Sequence, residues 1–185
     1  MTTEESEQTK ETFAYFGRAF YMASVVETGL AHVLLQAEFL TSVRDEYVRT
    51  KGKGFDRKKY EADFDAFMEK NFAQTMGNLI RRIRNFPEFT EGLKARIIAA
   101  KERRDFLVHH YWRERAVSFF NSEGRAKMIL ELNADAEMFE GLDKDIQAAM
   151  KPIRQRLGIN EDKIAAHVKE FMAKADSGQL SDPAR

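Results

Sequence analysis

Proline is scarce in this chain, and that constrains its fold more than any other feature. Of 185 residues only three are proline, at Pro87, Pro152 and Pro183. Proline removes a backbone donor and stops a helix, so long stretches without it favour long helices. Phe16, Phe20, Ala23, Leu30, Leu34 and Ala37 fall at helical steps and make one stripe of a helix over residues 13–47. The seven-residue step between Ala23 and Leu30 is filled by Glu27, a carboxylate inside the apolar stripe. Left unpaired there it would cost several kcal/mol, roughly, so it requires a partner.

The glycines of the 51–54 run KGKG mark a loop. A second helix is expected over residues 57–85, with Tyr60, Phe64, Phe67, Phe72, Met76, Leu79, Ile80 and Ile83 as its apolar positions. The chain breaks around Pro87, and Thr90 is placed to cap a third helix that runs to Phe120. The NSEG turn at 121–124 is a second break. Its flanks could pair as a hairpin, but helical spacing continues through Ile129, Leu132, Ala136, Phe139, Leu142 and Ile146, which favours helix-turn-helix. This fourth helix ends or kinks near Pro152, and a short fifth helix covers residues 161–175. The expected fold is all-α, a bundle of four or five helices. Residues 1–176 make one helical domain, and residues 177–185 a frayed tail.

Composition removes several function classes. There are no cysteines, so thiolate metal sites and cysteine nucleophiles are absent. Lys plus Arg and Asp plus Glu both number 30, which excludes a globally basic nucleic-acid coat but not a local strip. No apolar run approaches the roughly 18 residues that span a bilayer. The polar, acidic start (Met1 to Glu11) is unlike a signal peptide, so a cytoplasmic protein without a membrane partner is expected. No Gly-x-Ser-x-Gly or Glu-x-x-His pattern occurs, which leaves serine-triad and di-metal carboxylate chemistry without support. Neither a metal nor a cofactor is called for.

The third helix concentrates polar chemistry in the 101–115 run KERRDFLVHHYWRER. Ile97, Ala100, Leu107, Val108, Tyr111, Trp112 and Phe119 gather on one broad face, with Arg104 in its middle and Arg115 nearer its end, where it can snorkel. A guanidinium on an apolar face needs a fixed partner, and Glu27 carries the matching anomaly, so the two are expected to meet. Glu102, Asp105 and His109 form a second stripe, in which Asp105 and His109 are one turn apart and can pair. Arg103 and His110 share a third. Between Leu79 and Arg115 ten Lys and Arg residues face five carboxylates, a basic strip able to guide an RNA backbone.

Arg104, Asp105, His109 and Tyr111 together resemble the signature of the HEPN superfamily: Arg, a polar residue, three mostly apolar residues, His, any residue and often Tyr. The first helix, with Glu27, is similar to the opening helix of those proteins. The resemblance implies a four- to five-helix bundle that forms a homodimer. In many members, Arg and His from both subunits make a metal-independent RNA-cleaving site. It assigns the catalytic roles to Arg104 and His109, with Asp105, His110, Arg103, Glu27 and Tyr111 in support. It also implies RNA as substrate and a toxin or defence role. A nucleotidyltransferase-type antitoxin partner is implied too, with Tyr111 as the nucleotidyl acceptor. Asp105 departs from the usual Asn, and the tandem Arg103-Arg104 and His109-His110 leave two registers open: Arg104 with His109, or Arg103 with His110. Arg104 and His109 lie about 140° apart on an ideal helix, so two copies facing across a two-fold axis are needed to converge them. The competing reading keeps the fold for dimerisation or partner docking without catalysis.

Overall fold

The structure is a computed structural model describing residues 3–178. It is helical throughout, with no strand among the described residues. The first helix, α1 (Thr3–Leu34), passes through a π-helical segment (Leu35–Leu40) straight into α2 (Thr41–Thr50). The expected second helix divides into α3 (Arg57–Phe72) and α4 (Met76–Ile83). The expected third divides into α5 (Glu91–His109), α6 (Tyr111–Glu114) and α7 (Ala116–Phe119). Then follow α8 (Ser122–Ala149), α9 (Lys151–Arg156) and α10 (Glu161–Asp176). The helical alternative for the segments flanking the NSEG turn is therefore the one adopted. Residues 179–185, most of the expected tail, lie outside the described residues, as does Pro183.

Side-chain caps explain five of the ten α-helix starts among the described residues. Asp56, Thr75, Thr90, Asn121 and Asn160 each sit in extended backbone and accept hydrogen bonds from the first turn of the helix they open. In the split second helix α3 ends at the Ala73 cap, and the Thr75 hydroxyl then accepts the Asn78 N–H to begin α4. α8 ends at Ala149, just before Pro152 enters the first turn of α9.

The core lies chiefly between α1 and α8. α1 supplies Ala19, Ala23, Val26, Leu30 and Leu34, whereas Phe20, expected in the stripe, is 40% exposed. α8 supplies Met128, Leu132, Ala136, Phe139, Leu142 and Ile146. Gln8 bonds to Ser122 and Arg125, Arg18 to Asn133, and Gly29 lies against Asp143. The contacts advance together, so α1 and α8 run parallel. α5 runs antiparallel to α8, because Arg103 reaches Glu131 and Asp135 while Arg96 reaches Asp145. α10 has no buried residue. Among the described residues no helix is long and apolar enough to cross a membrane.

Candidate functional site

The Thr90 hydroxyl accepts the Leu93 N–H at 3.2 Å and fixes the start of α5. Leu93, Ile97, Ala100 and Leu107 seat one face of α5 in the core. α5 ends where the sequence carries no glycine or proline signal. At His110 the backbone leaves the α region (φ −128°, ψ −29°), and a second offset follows at Arg115. Helical hydrogen bonds persist across the first offset, His110 N–H to Phe106 O at 2.9 Å and Glu114 N–H to His110 O at 3.0 Å. The continuous third helix is thus corrected to three pieces. The offsets let Tyr111 drop into the core while Arg115 folds back onto α8.

Arg104 and Glu27 meet, as their matching anomalies require. The Arg104 Nη2 donates to Glu27 Oε2 at 2.9 Å, tying α5 to α1. The Arg104 Nη1 donates to Asp105 Oδ1 at 3.1 Å. Both guanidinium and carboxylates are partly open to solvent. A guanidinium has five N–H donors, so Arg104 keeps donors free beyond these two bonds.

Asp105 does not pair with His109. Its second oxygen accepts from Lys101 Nζ at 2.6 Å, one turn in the opposite direction. The Lys101 bond holds the Asp105 carboxyl below its ordinary value, Arg104 adding to it against the cost of partial burial. His109, the last residue of α5, is exposed, and its ring hydrogen-bonds to no described residue. His110 is exposed too, and its Nδ1 lies 2.9 Å from Arg113 Nη2. A guanidinium only donates, so Nδ1 accepts and the ring proton sits on Nε2.

Arg103 turns away from both histidines. Its Nε and Nη2 grip the two Asp135 oxygens at 2.7 and 2.6 Å, and Nη2 also reaches Glu131 at 2.8 Å. The guanidinium stacks on Phe106, 4.7 Å from the ring centroid. Arg115, expected to snorkel, instead makes two bonds to Glu131 at 2.9 and 2.8 Å. Both arginines are thus held by carboxylates, Arg103 by those of α8 and Arg104 by Glu27 and Asp105, with side chains 25% and 28% exposed.

Tyr111 is fully buried, its ring packed on Phe16, Phe106 and Trp112. Burial pushes its phenol far up, with the Glu131 charge adding to the effect. A hydroxyl in this position is closed to a nucleotidyl-transferring partner. That corrects its place as an acceptor and makes it a core residue.

The basic strip is also corrected. Arg82 bonds to Glu38, Lys94 to Glu91, Arg96 to Asp145, and Arg103 and Arg115 to α8. Carboxylates from other helices neutralise most of what the local count left positive. Sequence reasoning missed Glu131 and Asp135, which brace α5 and the turns after it. Their signal was a pair of carboxylates four apart, beside Leu132 and Ala136 in the apolar stripe of α8. No three His, Asp or Glu among the described residues are placed to hold a metal ion.

The arrangement offers a pre-oriented, partly open guanidinium and an exposed imidazole at the same end of α5. Such a pair can bind a phosphate and move a proton. Comparison with protein-family models, with curated proteins and with solved structures finds no match to the chain.

Proposed function

We propose that this chain is a homodimeric, metal-independent endoribonuclease of HEPN type, with Arg104 and His109 of both copies lining one cleft. The observation that carries this reading is His109. Its ring stands exposed at the end of α5, hydrogen-bonded to no described residue, on the same helix as an Arg104 held in place by Glu27 with donors to spare. One His109 takes the proton from a ribose 2′-OH, whose oxygen attacks the adjacent phosphorus. The bond from phosphorus to the 5′-oxygen breaks, and the second His109 protonates that leaving oxygen. The Arg104 forks hold the phosphate oxygens as negative charge builds. Lys101 and Arg104 neutralise Asp105, so its carboxylate does not face the phosphate unscreened.

The test is incubation with single-stranded RNA in EDTA. Wild type cleaves, Arg104→Ala and His109→Ala each lose about 100-fold or more, and DNA of the same sequence stays intact because it lacks the 2′-OH. Equal inertness, or equal activity, of all three proteins overturns the reading. A second reading, non-catalytic dimerisation or partner docking, is favoured by the Arg104–Asp105 bond, which sets a carboxylate where a phosphate would bind. It predicts an intact dimer with no cleavage.

A further inference from the structure

A separate cleft, with no wall from α5, opens between the π-helical segment, α2, the 51–56 loop and the start of α3. Its volume is ≈ 400 Å³, within the size range of small-molecule sites. Four rings line it. Tyr47 and Phe55 have centroids 5.9 Å apart, Phe55 and Tyr60 5.9 Å, and Tyr60 and Phe39 5.8 Å. Tyr47 and Phe55 each leave about half their surface exposed, at 53% and 52%. The loop is built for this geometry. Lys51, Gly52 and Gly54 all take positive φ, and a side chain on Gly52 would press against the Tyr47 ring.

Lysine and arginine dominate the loop and the first turn of α3, and the lining itself carries Lys53 and Lys59 beside Glu46, Asp56 and Asp63. Residues 49–59 hold six Lys and Arg and a single carboxylate, Asp56. Arg49 is committed to Glu46 and Arg57 to Glu61. Lys51, Lys53, Lys58 and Lys59 make no ion pair among the described residues, and Lys53 and Lys59 line the cleft. Of the lining carboxylates, Glu46 is paired, and Asp56 spends Oδ1 on the Lys58 and Lys59 N–H groups. Asp56 and Asp63 make no ion pair among the described residues, and of the two only Asp63 has no capping role. Stacking faces beside the unpaired Lys53 and Lys59 ammonium groups suit an aromatic ring that carries a phosphate.

We infer that this cleft binds an unpaired nucleobase with its phosphate, the base stacked against Tyr47 and Phe55 and the phosphate held by Lys53 and Lys59. The ligand is either a free nucleotide or one residue of single-stranded RNA, and its binding is independent of whether RNA is cleaved at Arg104 and His109.

The full chain is titrated with two probes: a fluorescein-labelled 12-nucleotide single-stranded RNA, followed by anisotropy, and AMP, followed by calorimetry. Phe55→Ala weakens binding about tenfold, as removal of one base-aromatic stack should. Lys53→Glu with Lys59→Glu weakens it further and flattens the salt dependence for RNA by about 0.7 in log–log slope, for the one phosphate charge that the lysines no longer neutralise. The ratio between wild type and Phe55→Ala is unchanged in an Arg104→Ala background, which separates this site from the cleavage site. RNA binding with these sensitivities identifies a strand-tracking site, and AMP binding alone with the same sensitivities identifies a nucleotide site. The inference is overturned if neither probe binds, or if wild type, Phe55→Ala and the double lysine variant bind alike while giving the same circular dichroism melt.

Discussion

Tyr111 carries a fully buried hydroxyl with no hydrogen-bond partner among the described residues. Such a group costs about 1–3 kcal/mol. Tyr111→Phe keeps the ring against Phe16 and Trp112 and removes the cost. Urea denaturation should therefore show the variant more stable by about 1 kcal/mol. Glu131 beneath it works the other way. Its burial, which disfavours the charge, is outweighed by the bonds from Arg115 and Arg103, so its carboxyl lies below the ordinary 4.5. A depressed carboxyl stabilises fully above its unfolded value and loses that contribution as pH falls through the folded one. Glu131→Gln should thus be less stable than wild type at pH 6, with the gap closing as urea midpoints are followed below pH 4.5. The Glu27–Arg104 pair was legible in the sequence because each residue violated an apolar stripe, and two violations satisfy each other. The partner of Asp105 was not, since Lys101 and His109 stand four residues away on either side. The always-charged lysine holds the carboxylate, and helical spacing alone does not rank the two.

Elements opened by a capping side chain were readable, as at Thr90; the breaks at His110 and Arg115 were not, because neither bears a residue that forbids helix. What accompanies them is tertiary: Arg115, at the second break, is tied to Glu131 on α8, and Tyr111, just after the first, is buried in the core. Two glycines in α8 show how far local propensity reaches. Gly124 lies so close to the Ser118 backbone that a Cβ would overlap it, whereas a Cβ on Gly141 meets nothing within 4 Å. Gly124→Ala should destabilise by about 2 kcal/mol through overpacking, and Gly141→Ala should stabilise by roughly 0.5–1 kcal/mol. Thermal melts of the two variants check both signs.

Across the molecule, the all-helical class was readable from proline scarcity and periodicity, but the parallel course of α1 and α8 was not, because it depends on pairings between residues far apart in the chain. Apolar side chains remain on the outside: Phe13 and Val108 near the end of α5, and Ile164, Val168, Phe171 and Met172 along α10. A two-fold dimer is expected to cover part of them, and sedimentation should give twice 21.4 kDa at micromolar concentration. A strict monomer would remove the shared cleft, and with it the reason to expect cleavage. The π-helical segment has a different consequence. It interrupts one unbroken rod from Thr3 to Thr50, and Phe39 within it faces Tyr60, Phe64 and Phe67. Losing a single codon there would restore ordinary helical winding with little net rotation downstream, because the wider π turn is what takes up the extra residue. The bundle would keep its phase on both sides while the wall around Phe39 was rebuilt, so inheritance could reshape the nucleotide-sized hollow and still pass on the fold.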